Sequence, residues 1–110
     1  FRRAVVLALA LTFVMGAGAG MLLGAVQPPA GTGLPLLGWH ATGDLRPAHF
    51  IGLHAQQMLP LAAAGLLRIA PGRARSGFAV VVAFHVLAWA VAMAFGLQGA
   101  QFRPPVLPPA

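Results

Sequence analysis

The sequence predicts an all-α fold, an integral membrane bundle of three transmembrane helices. Its composition, three apolar runs of near-bilayer length, and arginines confined to the ends of those runs all point there. Of 110 residues, 59% are hydrophobic and 7% charged, whereas soluble domains carry roughly a quarter charged residues. Eight charges cannot cover a globule of this size, which excludes a freely soluble monomer. The basic residues are all arginine, Asp44 is the one acid, and the net charge is +6. The arginines do not form a patch interleaved with aromatics, so nucleic acid is not an expected partner. The absence of cysteine removes disulfides, thiolate metal sites and a cysteine nucleophile.

The first run, residues 4–26, carries no charge and has Thr12 as its one polar side chain. At 1.5 Å per residue it is about 34 Å long, enough to cross a bilayer core. A basic start and the small residues Ala17-Gly18-Ala19 also resemble a cleavable signal segment. Met21-Leu22-Leu23 nevertheless carries the run to a full span, which favours a retained helix. The second run, 46–70, holds His49, His54, Gln56, Gln57 and Pro60. At its start either Asp44 caps the helix, or Pro47 takes the first helical position with Arg46 extended before it. The third run, 77–98, is uncharged and contains His85 and Trp89. A basic turn with proline and glycine, 71–76, separates runs two and three.

Arginine placement orients the set. Arg2, Arg3, Arg68, Arg73 and Arg75 fall on one side, Arg46 and Arg103 on the other. The positive-inside rule places the amino terminus and the 71–76 turn in the cytoplasm. The loop 27–45 and the carboxyl end then lie outside, with Trp39 as an interfacial anchor. The 99–110 tail is proline-rich and reads as an extended linker. A chain without an initial methionine, stopping in such a stretch, reads as a single transmembrane domain excerpted from a longer multi-pass protein.

Gly16, Gly20 and Gly24 recur every four residues, and small residues at that spacing let another helix approach closely. On run two, His54, Gln57, Met58 and Leu61 share one face, with His49, Leu53, Gln56 and Pro60 on a neighbouring one. A bare amide or imidazole in lipid costs several kcal/mol, so both faces are expected to look into protein or a wet cavity. Pro60 cannot donate to the carbonyl of Gln56 and is expected to kink the helix there. His54 and His85, on different helices, suggest ligation of a haem b, or alternatively interhelical hydrogen bonding, or proton, quinone or solute handling. Counting residues from the outer ends places His54 about 9 Å deep and His85 about 18 Å deep, a mismatch that weakens pairing on one haem. Asp44, Arg46 and His49 line the outer approach to His54, Gln56 and Gln57, either as a vestibule or as an exposed ion pair worth at most about 1 kcal/mol. No paired carboxylates, nucleophile elbow or phosphate loop occur, so a self-contained enzyme is not expected.

The stretch Gly43-Asp44-Leu45-Arg46-Pro47-Ala48-His49-Phe50-Ile51-Gly52-Leu53-His54-Ala55-Gln56-Gln57, followed by Pro60, resembles a segment of uncharacterised multi-pass bacterial inner-membrane proteins. In those, Asp-Leu-Arg, His-Phe and Gly-x-His-x-x-Gln open a membrane helix. The resemblance covers one span and its preceding loop. It implies a helical protein of the bacterial inner membrane and supplies no activity. The leading expectation is a non-enzymatic packing or accessory module that joins other transmembrane helices, as a homo-oligomer or in a larger complex. The alternatives are a redox subunit, with haem b on His54 or His85 and a quinone near Gln56 and Gln57, and a transporter half-site at Pro60.

Overall fold

A computed structural model describes residues 1–27, 29, 31, 33–35 and 37–102. They form helix α1 (Arg2–Ala25), α2 (Arg46–Leu53), α3 (Ala55–Ile69) and α4 (Ala74–Leu97), with a 3-10 turn at Pro71–Arg73. Among the described residues there is no strand, only one isolated bridge between Val26 and Phe102. Residues 103–110 of the proline-rich tail, Arg103 included, lie outside the described residues.

In α1, uninterrupted apolar sequence meets a stripe of small side chains. Ala4, Ala8, Met15, Gly16 and Ala19 are buried, while Val6, Leu9, Phe13 and Met21 face outward. Midway, Thr12–Ala17 widens into a π-helical stretch. The second run is two helices, not one, joined at His54 with a bend of 46°. Its own buried stripe is Ala48, Gly52, Ala55, Leu59 and Ala63, a spacing of three and four that keeps one face turned inward. The broken helix is the middle element of the bundle. On one side α2 packs along the π stretch and α3 along the start of α1; on the other, both pack on α4.

The core gathers Ala8 and Met15 from α1 with Ala55 and Leu59 from α3. Leu11 and the α4 residues Phe78, Val81, Val82, Val86 and Trp89 close over them. Outside this seam α4 is bare: Val80, Phe84, Leu87, Val91 and Phe95 form an exposed apolar stripe. None of its most apolar 18-residue window is buried. A soluble fold would leave so large an apolar surface in water, at about 25 cal/mol per Å². Helices α1 and α4 are each long and apolar enough to cross a membrane, whereas α2 and α3 pass that test only together. The chain has the architecture of a helical membrane protein.

The helix ends differ from the sequence expectation in ways the turns explain. Helix α4, formed by the third apolar run, begins at Ala74, three residues early, because Pro71 opens a 3-10 turn whose Arg73 N–H reaches Ala70 O at 3.0 Å. Proline suits that position, where its missing N–H leaves no partner unsatisfied. At the opposite end the chain folds back on itself. The Gln27 N–H donates to Gln101 O at 2.7 Å and the Gly43 N–H to Phe95 O at 3.3 Å. As far as Phe102, then, the tail pairs with the end of α1.

Candidate functional site

The polar groups of the middle helix organise around its break. His54 sits there with φ −84° and ψ −1°, in the sparsely populated bridge region between helix and strand. Among the described residues, the backbone bonds that cross the break run from His54 to Phe50 O and from Gln57 and Met58 to His54 O. None reaches the carbonyl of Ile51, which accepts instead from His85 Nε2 on α4 at 2.9 Å. The His54 ring turns back on its own helix, donating through Nδ1 to Phe50 O at 2.8 Å, and stacks on the Phe50 ring with centroids 4.0 Å apart. Helix α4 thus supplies from a side chain the donor that the interrupted helix lacks.

A third histidine makes the same kind of bond to α1. His49 Nδ1 donates to Gly16 O at 2.8 Å, within the π-helical stretch. A π turn shifts the hydrogen-bond register and tilts carbonyls off the helix axis, opening them to such donors. Glycine lets the backbones come near enough. A Cβ on Gly52 would lie 2.6 Å from Gly16 N and 2.7 Å from Met15 C, so α1 and α2 meet backbone to backbone. A Cβ on Gly20 would lie 2.7 Å from His49 Cε1, so that glycine leaves room for the ring.

One expectation needs correction here. The bend lies at His54, six residues before Pro60, and Pro60 runs inside α3. Gln56 and Gln57, expected to face protein or a cavity, point away from the other helices of this chain and are exposed on its surface. Ala55, Leu59 and Ala63 take the inward face, which turns the amides out of the bundle. No hydrogen bond to either side chain occurs among the described residues.

The start of α2 is held by Asp44, which is 2% exposed and pairs with the part-exposed side chain of Arg46. Its Oδ1 accepts from the Arg46 backbone N–H at 3.0 Å and from Arg46 Nε at 2.9 Å. Its Oδ2 accepts from Arg46 Nη2 at 2.7 Å and from the His40 N–H at 2.8 Å. Arg46 Nη2 also reaches Gly38 O at 3.2 Å. Burial alone would raise the Asp44 carboxyl, but the Arg46 side chain and the two backbone N–H groups outweigh it, and the pKa falls from 3.8 to about 2. Arg46 is the first residue of α2 and Pro47 the second, so the helix begins one residue before the proline. Trp39 stacks edge-on against Phe50 at 5.4 Å, carrying the loop down onto the break.

Gly16 and Gly20 therefore touch α2, whereas Gly24 has nothing within 4 Å of where its Cβ would be. The close glycine partner that the sequence reading passed over as a packing residue is Gly52; the spacing Ala48-Gly52, continued at Ala55, was its signal. Gly96, whose Cβ would sit 2.7 Å from Asp44 O, has no comparable local mark. For a cofactor, His54 keeps Nε2 and His85 keeps Nδ1. Nε2 ligation by both would cost the His85–Ile51 bond, and no group of three potential ligands for a metal ion forms among the described residues. No protein-family model, curated protein or solved structure matches this chain.

Proposed function

We propose that this chain is a non-enzymatic three-span membrane module that docks a further transmembrane surface, a second copy or a larger partner, on the glutamine face of its middle helix. The observation that carries this reading is the exposure of Gln56 and Gln57 without hydrogen bonds. Gln56 follows Arg46 by ten residues, about 15 Å along a helix and near the middle of a bilayer core. An unpaired amide there costs several kcal/mol, which a partner's polar group removes. The reading of the middle helix as a broken span is supported by Asp44 at its start lying against Gly96 and Leu66 near its end lying against Gly77. It therefore travels the length of α4. The arginine-rich end is the cytoplasmic end by the positive-inside rule, and the resemblance of residues 43–60 favours a bacterial inner membrane.

The test is energy transfer between donor- and acceptor-labelled copies in vesicles, diluted progressively with lipid. Transfer above random proximity that disappears in Gln56→Leu/Gln57→Leu is the expected result. Wild-type transfer at the random level at every dilution would overturn self-docking. One observation favours a second, redox reading: His54 donates Nδ1–H to a carbonyl, the outer-shell bond that commonly orients a ligating histidine. A reduced-minus-oxidised spectrum with paired haem bands, abolished by His54→Ala in a chain that still inserts, is what that reading requires.

A further inference from the structure

At the end of the bundle opposite Asp44, a cleft of about 610 Å³ opens between the start of α1, the last turns of α3 and the first of α4. Its lining divides by chemistry. Arg2, Arg3 and Arg75 supply three guanidinium groups, and Leu7, Leu67 and Phe78 supply apolar wall. The three arginines are exposed, and none makes a side-chain hydrogen bond or ion pair among the described residues. The 110 residues contain a single acid to answer seven arginines. That acid, Asp44, is held by Arg46 at the other end of the molecule. The sequence holds no second acidic side chain to neutralise the cleft.

We infer that this cleft binds an anionic phospholipid, its phosphate on Arg2, Arg3 and Arg75 and its upper acyl chain along Leu7, Leu67 and Phe78. The volume falls in the roughly 300–1,000 Å³ range of small-ligand sites. Guanidinium groups suit phosphate because their planar forks donate two parallel hydrogen bonds. Basic pockets between helices at the cytoplasmic face are a recurrent setting for anionic headgroups. A free phosphate would use the arginines and leave the apolar wall idle, whereas a lipid uses both. The cleft lies at a helix-bundle edge already in the membrane, where such a lipid is at hand.

Native mass spectrometry of the 110-residue chain released from mild detergent tests this, with phosphatidylglycerol and phosphatidylcholine added in equal amounts. The wild type should retain phosphatidylglycerol in preference. At roughly fivefold per arginine, Arg3→Gln/Arg75→Gln should lower that preference by about twenty-fold. The matched control Arg68→Gln/Arg73→Gln removes the same charge from the same end but outside the cleft, and it should leave the preference nearly intact. Leu67→Asn should lower retention of both lipids with the arginines in place, and circular dichroism checks helix content in every variant. Equal losses in the two arginine pairs would reduce the effect to surface charge and overturn the site. Displacement of the lipid by glycerol 3-phosphate, with retention insensitive to Leu67→Asn, would mark a free-phosphate site and overturn the lipid. No preference in the wild type would overturn both.

Discussion

Replacing Gly52 by alanine adds one methyl group at the place where two helix backbones meet. The new Cβ would stand 2.6 Å from Gly16 N, 2.7 Å from Met15 C and 2.8 Å from Gly16 Cα. These are backbone atoms, so no rotamer change relieves them. Ordinary contact begins at 3.4 Å, so α1 and α2 must separate by about 0.8 Å, the difference between 3.4 and 2.6 Å. The His49–Gly16 bond, now 2.8 Å, would stretch beyond hydrogen-bonding distance unless the ring follows. Overpacking of this kind costs about 1–3 kcal/mol, set against about 0.5–1 kcal/mol regained from alanine's helix preference. A net loss of about 1–2 kcal/mol follows. Gly24→Ala is the internal control: its methyl meets nothing within 4 Å and should gain about 0.5–1 kcal/mol. Reversible unfolding in mixed micelles, followed by far-ultraviolet circular dichroism, measures both. Equal midpoints for the two variants would refute the backbone contact.

Other outcomes follow from the same geometry. His85→Leu leaves the Ile51 carbonyl without its side-chain donor; membrane hydrogen bonds of this kind are worth about 0.6–1.7 kcal/mol. The freed carbonyl can then take the Ala55 N–H, so the 46° bend should shrink, which spin-label distances between positions 50 and 61 would report. Gly20→Ala should push the His49 ring off Gly16 O, with a smaller loss than Gly52→Ala because the obstacle is a movable side chain. For Asp44, the folded carboxyl at about 2 lies below its ordinary 3.8. Its contribution is therefore fully present above pH 3.8 and is lost as pH falls toward 2, about 2 kcal/mol in all. Asp44→Asn should abolish that acid-dependent step in a pH series of unfolding midpoints. Arg46→Ala removes the two guanidinium bonds to the Asp44 carboxylate and leaves its two backbone N–H donors, so it should cost about 1–3 kcal/mol.

The all-helical class and the two long apolar helices were legible because they rest on chemistry that acts along the chain, whereas the break that makes two helices of the second run was not. An uncharged run of bilayer length is costly anywhere but in lipid or a core, whatever its neighbours do. Pro71 and the basic turn ended one helix and began another within a few residues of their observed places. Arg2, Arg3 and Arg75 come together at one end, around one cleft, as their places at the ends of the apolar runs suggested. Gly16 and Gly20 were visible as small residues in register; that they touch α2 and not α4 was not.

What only the tertiary structure decided is which polar groups meet. His49, His54 and His85 each bond a backbone carbonyl, and those carbonyls become available through a π stretch and a helix break. Neither feature is written in local propensity, since each is stabilised by the side chain of another turn or another helix. Pro60 suggested a kink at the wrong place for the same reason: it removes one hydrogen bond, while His85 holds a different carbonyl out of the helix. Burial of Asp44 likewise depends on Gly96, fifty-two residues away (96 − 44), whose lack of a side chain lets the Asp44 backbone settle against α4. Local sequence determines where an apolar helix forms, because hydrophobicity and proline act on their own segment. Pairing of donors with carbonyls across helices is decided only when the helices pack, because an unpaired polar group carries its full cost in a medium that offers no water.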